Sequence, residues 1–246
     1  MKKSTFNLGE FRQLDKVFLT ADNGIDCGNV TSVAFDGETL YIAQPDGVFE
    51  YADGKIRKTN IAASKIFSAD GKLYGAAGNT LFEIKKGKSK KIAEFDAPVI
   101  DISIALDGSF WLITETTLYL KKEDGFDAVV GLPEGTVCVA ALDNKSKYGE
   151  TVYIGSKEEG FMSMKGKRRH WAELIPEMTP VLSRSINCVS IDALGHVWVG
   201  SDEGLNIYDG RSFWFNGNDF YSVPAGSFND MFFAKDGKKY FATNTG

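Results

Sequence analysis

Six residues combine types that could act together: Ser32, Lys65, Asp101, Cys138, Cys188 and Asp230. Each stands in a short strand-like run and precedes an apolar residue: Val33, Ile66, Ile102, Val139, Val189 and Met231 respectively. If the six runs converge, two carboxylates, a lysine and two thiols share one ring, which suits a divalent cation or a polar ligand. No other cofactor is expected. The same residues have a plainer use. Buried polar side chains need partners in any fold, and these could satisfy strand backbone groups or hold water.

Thiol chemistry has less support. Cys27, Cys138 and Cys188 are odd in number and form no local pairing motif, which tilts towards a reducing compartment. Metal ligation by cysteine generally needs four nitrogen or sulfur ligands, and His170 and His196 lie on segments away from the ring. A cysteine or serine nucleophile needs a base within reach, and neither histidine has a partner spacing. Small buried core residues is the reading preferred for Cys138 and Cys188.

Three surface features could bind. The basic hairpins Lys85-Lys86-Gly87-Lys88-Ser89-Lys90-Lys91 and Lys165-Gly166-Lys167-Arg168-Arg169-His170 could meet an anion, although such runs usually mark solvated turns. The long segment 173–184 ends on Arg184, and Phe213-Trp214-Phe215 leads into Asn218, Asp219, Phe220 and Tyr221. Arg184, Trp214, Asn218, Asp219, Phe220 and Tyr221 together suit stacking on a sugar or gripping a peptide. Against this, Phe213 and Phe215 alternate as packing residues of an outer strand would.

The elements that must position these residues are repeated. A Gly-turn followed by a strand with a central aromatic recurs, with pivots at Tyr41, Tyr74, Trp111, Tyr153, Trp198 and Tyr240. A period of about 40 residues with four short strands per unit points to a propeller. The clearest unit has strands at 186–191, around Trp198, at 205–208 and at 212–215, linked by Asp-Gly and Glu-Gly turns of the kind that tolerate positive φ. No convincing helical period of ten or more residues occurs. A β-sandwich is the competing architecture.

The expected fold is all-β, a six-bladed β-propeller spanning 1–246 as one domain. Its blades fall at 30–60, 61–95, 96–133, 134–183 and 184–224, with the last built from 225–246 plus 1–29. Two N-terminal strands, at 5–8 and 11–18, would close that blade in a 2+2 arrangement and remove the open edges. The competing reading is a longer propeller cut at Gly246. In the toroid the ring residues lie at the mouth of a central channel.

Composition agrees with a folded domain: 43% apolar, 25% charged and a net charge of -5 among 246 residues. Disorder, collagen and coiled coil are excluded. No apolar run approaches the roughly 18 to 20 residues of a membrane span. The mild acidity argues against general nucleic-acid affinity. The start has positive charge but no apolar run behind it, which favours the cytoplasm over an extracytoplasmic protein whose leader has been removed.

The stretch from Ile186 to Tyr208, with its Asp192-Ala193-Leu194-Gly195 turn, Trp198-Val199-Gly200-Ser201 strand and Gly204-Leu205, resembles the two-component regulator propeller repeat. The segment around Phe228 resembles it more loosely, with Tyr240 in place of tryptophan. Members of that family are usually extracytoplasmic sensor portions of bacterial signalling proteins. The resemblance implies a propeller and a binding habit. The expected function is therefore a non-catalytic, sensor-type module recognising a small molecule, carbohydrate or protein through its loop face and channel mouth. The alternative is an enzyme, since six-bladed propellers also host lactonases, lyases and glycan-active hydrolases built on a channel-bound metal or carboxylates. Asp101 and Asp230 are the only acids at the aligned ring position.

Overall fold

Short strands separated by tight turns favour pairing with their sequence neighbours, and the described strands do so. The computed structural model describes residues 30–36, 39–69, 71–85, 88–143, 150–166, 170–216, 226–233 and 239–244, with Leu19, Asp22, Gly24 and Ile25. Blade 1 is β1 (Ser32–Asp36), β2 (Thr39–Gln44), β3 (Gly47–Ala52) and β4 (Lys55–Lys58). Blade 2 is β5 (Lys65–Ala69), β6 (Lys72–Ala77), β7 (Thr80–Lys85) and β8 (Lys88–Glu94). Blade 3 is β9 (Val99–Ile104), β10 (Phe110–Thr114), β11 (Thr117–Lys122) and β12 (Gly125–Gly131). Blade 4 is β13 (Thr136–Leu142), β14 (Thr151–Ser156), β15 (Phe161–Lys165) and β16 (Ala172–Leu174). Blade 5 is β17 (Ile186–Ile191), β18 (Val197–Ser201), β19 (Gly204–Tyr208) and β20 (Phe213–Asn216). A hairpin of β21 (Phe228–Phe233) and β22 (Lys239–Thr243) follows. Every pairing is antiparallel between consecutive strands.

The expectation of six blades is corrected here: the propeller has five four-stranded blades. β21 and β22 pair with each other alone among the described residues, as a two-stranded sheet. The pivot Tyr240 marks the second strand of a hairpin, and counting pivots counts hairpins whether or not outer strands follow. The strands expected at 5–8 and 11–18 to complete a 2+2 blade lie outside the described residues.

The ring closes nonetheless. Inner strands β1, β5, β9, β13, β17 and β21 each neighbour the next, and β21 returns to β1. Val33 N donates to Asp230 Oδ2 at 2.6 Å across this seam, and Phe35 stacks on Phe232 and Tyr240. The apolar cores lie between neighbouring sheets. One joins Tyr153 and Phe161 of blade 4 to Ile186, Val189 and Val199 of blade 5. Because a sheet is covered on both faces, β10, β14 and β19 are buried along their whole length while the outer strands β8 and β12 are largely exposed. Burial on both faces favours continuous apolar strands over alternating ones.

Two glycines show how closely the sheets approach. A Cβ at Gly155 would stand 2.4 Å from Ile186 Cγ2 and 2.7 Å from Cys138 Sγ, and one at Gly200 would stand 2.6 Å from Cys188 Sγ. The second strand needs no side chain here because the inner strand and the next blade fill the space. At the rim, Asp53 and Gly54 have φ of 50° and 71°, the two positive values of a tight hairpin turn. Among the described residues no helix is long and apolar enough to cross a membrane.

Candidate functional site in the central channel

The six ring residues occupy one register position. Ser32 faces Ala43, Lys65 faces Ala76, Asp101 faces Ile113, Cys138 faces Gly155, Cys188 faces Gly200 and Asp230 faces Ala242. In blades 3, 4 and 5 and in the hairpin, the ladder slips by one residue just before the ring position. Such a bulge leaves one residue unpaired and re-aims its neighbour. No residue type in the sequence marks it, since Ile100, Val137, Asn187 and Asn229 hold the bulged positions.

Three ring residues bond the next sheet by one rule. Ser32 Oγ accepts from Ile66 N at 2.8 Å, Asp101 Oδ2 from Val139 N at 2.8 Å, and Asp230 Oδ2 from Val33 N. Each donor is the residue that follows the neighbouring ring member. The second oxygens accept from the backbone as well: Asp101 Oδ1 from Ile102 N and Asp230 Oδ1 from Met231 N, both at 2.9 Å. Two residues along, Ser103 Oγ accepts from Ala141 N at 3.0 Å and Ser190 Oγ donates to Met231 O at 3.1 Å. Cys188 Sγ donates to Phe228 O at 3.5 Å. The plainer use foreseen for these residues, satisfying strand backbone groups, is therefore present at Ser32, Asp101, Cys188 and Asp230.

Lys65 differs. It is half-buried, and its ammonium donates no hydrogen bond and forms no ion pair among the described residues, although its charge acts on both ring carboxylates. Burial pushes Asp101 up to about 6 against the pull of Lys65 and its two N–H donors. Burial, with the charge of Asp101 added, pushes Asp230 up to about 7 against the Val33 N–H. Both thiols are driven upwards by burial and by the nearby carboxylates, so they stay protonated. Among the described residues no three His, Cys, Asp or Glu side chains gather as a metal-ligating group.

A polar network missed in the sequence adjoins the ring. Asn187 and Asn229 immediately precede Cys188 and Asp230. Asn187 Nδ2 donates to Asp202 Oδ1 at 2.8 Å and Ser227 Oγ at 2.9 Å, and Lys157 donates to Asn187 Oδ1. Ser185 Oγ donates to Asp202 Oδ2 at 2.6 Å. Despite some burial, the bonds from Ser185 and Asn187 hold Asp202 below the usual carboxylate range. The recurring position one residue before the ring is the signal that could have found it.

The other candidates separate. Arg184 forms a two-point ion pair with Glu177, with both N···O distances 3.0 Å. The Trp214 side chain and Asn218, Asp219, Phe220 and Tyr221 lie outside the described residues, as do Cys27, Lys86, Gly87 and 167–169. Phe213 packs on Phe161 and Tyr208, so it serves the outer core. The described basic residues fall on the third-to-fourth-strand hairpins, where Lys91 pairs with Glu94.

The turn carrying the repeat's aspartate has a structural duty. Asp192 Oδ1 accepts from Leu194 N and His196 N, both at 2.9 Å. Its Oδ2 accepts from Trp198 Nε1 at 3.0 Å and lies 3.1 Å from His196 Nδ1. Although burial acts the other way, these bonds hold Asp192 below the usual carboxylate range.

No family model matches the sequence, and no curated protein matches it. Solved structures do match. The extracellular domain of a protein assigned to a hybrid two-component system in B. thetaiotaomicron aligns with TM-score 0.61 at 15% identity, over 89% of this chain and 38% of that one. A second such domain from the same organism gives 0.59 at 14%, over 87% and 31%. A gluconolactonase from Xanthomonas campestris gives 0.65 at 13%, over 88% and 83%. The chain thus spans about a third of the two extracellular domains and most of the gluconolactonase. At these identities the likeness establishes the architecture alone, a β-propeller shared with these extracellular domains and with the gluconolactonase, in agreement with the propeller implied by the repeat resemblance at 186–208.

Proposed function

We propose that the protein is a non-catalytic binding module that takes a small polar ligand at the channel mouth, in the manner of a sensor domain. The observation that carries this reading is Lys65, whose ammonium stands in the ring without a hydrogen-bond partner among the described residues while both oxygens of Asp101 and Asp230 hold backbone N–H groups. A carboxylate whose two oxygens both accept backbone N–H groups anchors the fold and tunes the local field, and it is poorly placed to act as a nucleophile. The protonated thiols are likewise weak nucleophiles. What remains is a rigid channel mouth offering cationic donors, flanked by the Lys157–Asn187–Asp202 network.

The gluconolactonase likeness favours a second reading, a lactone hydrolase working with a divalent cation at the channel mouth. One experiment separates the two. A panel of neutral and acidic sugars is titrated calorimetrically into the protein and into Lys65→Met, while gluconolactone hydrolysis is followed with Mg²⁺, Ca²⁺, Mn²⁺ and Zn²⁺. Ligand heat lost in Lys65→Met, with hydrolysis at background, supports the binding module. Metal-dependent turnover abolished by Asp101→Asn overturns it.

A further inference from the structure

The ring has three formal charges and they are not matched. Lys65 contributes an ammonium, and Asp101 and Asp230 contribute carboxylates that form no ion pair with it. The Cys138 and Cys188 thiols, which feel the charge of these carboxylates, are neutral. With both acids ionised the ring carries one net negative charge; with both protonated, one net positive charge. The position of Asp230 makes its proton matter. The Val33 and Met231 N–H groups occupy one lone pair on each of its oxygens, and a proton added to either oxygen creates an O–H donor that needs an acceptor. An anion held by Lys65 supplies that acceptor. An empty, ionised ring instead repels it.

We propose that the ring is a proton-coupled site for a small carboxylate, whose oxygens accept from Lys65 Nζ and from the O–H of protonated Asp230. This rests on the binding-module reading and gives it a ligand class. Charge-assisted donors of this kind give short, strong hydrogen bonds to carboxylates. Binding then carries a proton into the ring, so affinity falls as pH rises through the range where Asp230 loses its proton. The burial that pushes Asp230 up to about 7 places that range near neutrality.

The test is calorimetry with acetate and D-glucuronate at pH 6 and pH 8, each in two buffers of different ionisation enthalpy, with methyl glucoside as a neutral probe. The unmutated protein should bind the carboxylates about tenfold more tightly at pH 6 than at pH 8, with proton uptake near neutral pH. Lys65→Met should lose at least about tenfold at pH 6. Asp230→Asn should lose most of the difference between the two pH values and most of the proton uptake, leaving the smaller share that Asp101 carries. Should Asp230→Asn fail to fold by circular dichroism, the buffer dependence of the unmutated protein still decides the matter. Carboxylate affinity that is equal at both pH values, without proton uptake, overturns the inference. If methyl glucoside binds through Lys65 while the carboxylates do not, the inference fails and the binding module stands. If no probe responds to Lys65→Met, both fail together.

Discussion

The two ends of the inner strands carry aspartates with opposite fates. At the turn end of blade 5, Asp192 gathers Leu194 N, His196 N and Trp198 Nε1, and its carboxyl is held below the usual range. At the channel end, Asp101 and Asp230 take two backbone donors each and are pushed up to about 6 and about 7. All three are bound to backbone, but Asp192 is less deeply buried and also accepts from the Trp198 indole. At the channel deeper burial wins, with the charge of Asp101 adding to it at Asp230. The lesson is that the family-like aspartate of the turn serves the fold, whereas the channel aspartates serve the fold and also remain able to exchange a proton near neutral pH.

Stability against pH should expose that contrast most strongly. Asp101 and Asp230 have folded pKa values above the unfolded value of about 3.9, so the folded chain holds protons more tightly, and acidification from pH 8 to 5 stabilises it. The gain should reach up to about 4 kcal/mol, read from urea midpoints across that range. Below about pH 4 the trend should reverse, because Asp192 and Asp202 have lowered folded pKa values and lose their contribution as they protonate. A flat profile between pH 8 and 5 would erase the distinction between the two ends.

Next in size is Asp192→Ala. It leaves a half-buried indole N–H and two turn amides without their acceptor, and should destabilise by about 2 to 3 kcal/mol in chemical denaturation. Asp230→Asn should then remove the larger part of the slope between pH 8 and 5 while leaving the reversal below pH 4, because Asp192 and Asp202 are untouched. If the slope survives in Asp230→Asn, another group carries it.

The smallest effect comes from blade 3, which repeats the backbone hydrogen bonds of the blade 5 turn without its leading aspartate. Ala105 N donates to Ser109 O as Asp192 N donates to His196 O, and Gly108 N donates to Ala105 O as Gly195 N donates to Asp192 O. Ala105 therefore stands where Asp192 does, six residues before the pivot tryptophan. Trp111 Nε1 is buried without a partner among the described residues, whereas Trp198 Nε1 has one. Ala105→Asp should supply the acceptor and stabilise by about 1 kcal/mol at pH 7. A destabilised Ala105→Asp would mean the two turns are less alike than their backbones.

Much of this was legible in the sequence because propeller strands pair locally. Glycine-rich turns and pivot aromatics placed the inner strands well enough that Ser32, Lys65, Asp101, Cys138, Cys188 and Asp230 fell into one register. The number of blades was not legible: Tyr240 announces a hairpin, and nothing in it reports whether third and fourth strands will join. The bulges before Asp101, Cys138, Cys188 and Asp230 were hidden too, since a slipped ladder depends on how sheets seat against one another. So was the use of Asp101 and Asp230, because their acceptors bind amides of the next sheet, and backbone amides are the same at every residue type. Arg184 looked free in the sequence; its pairing with Glu177 depends on the path of the loop between them.

The most direct test of the account is a pH titration of the aspartate side-chain carboxyl carbons by NMR, assigned with Asp101→Asn, Asp192→Asn and Asp230→Asn. The account predicts that the Asp101 and Asp230 signals move between about pH 5 and 8 while Asp192 moves below about pH 4. Channel signals that titrate near 4 together with Asp192 would contradict it.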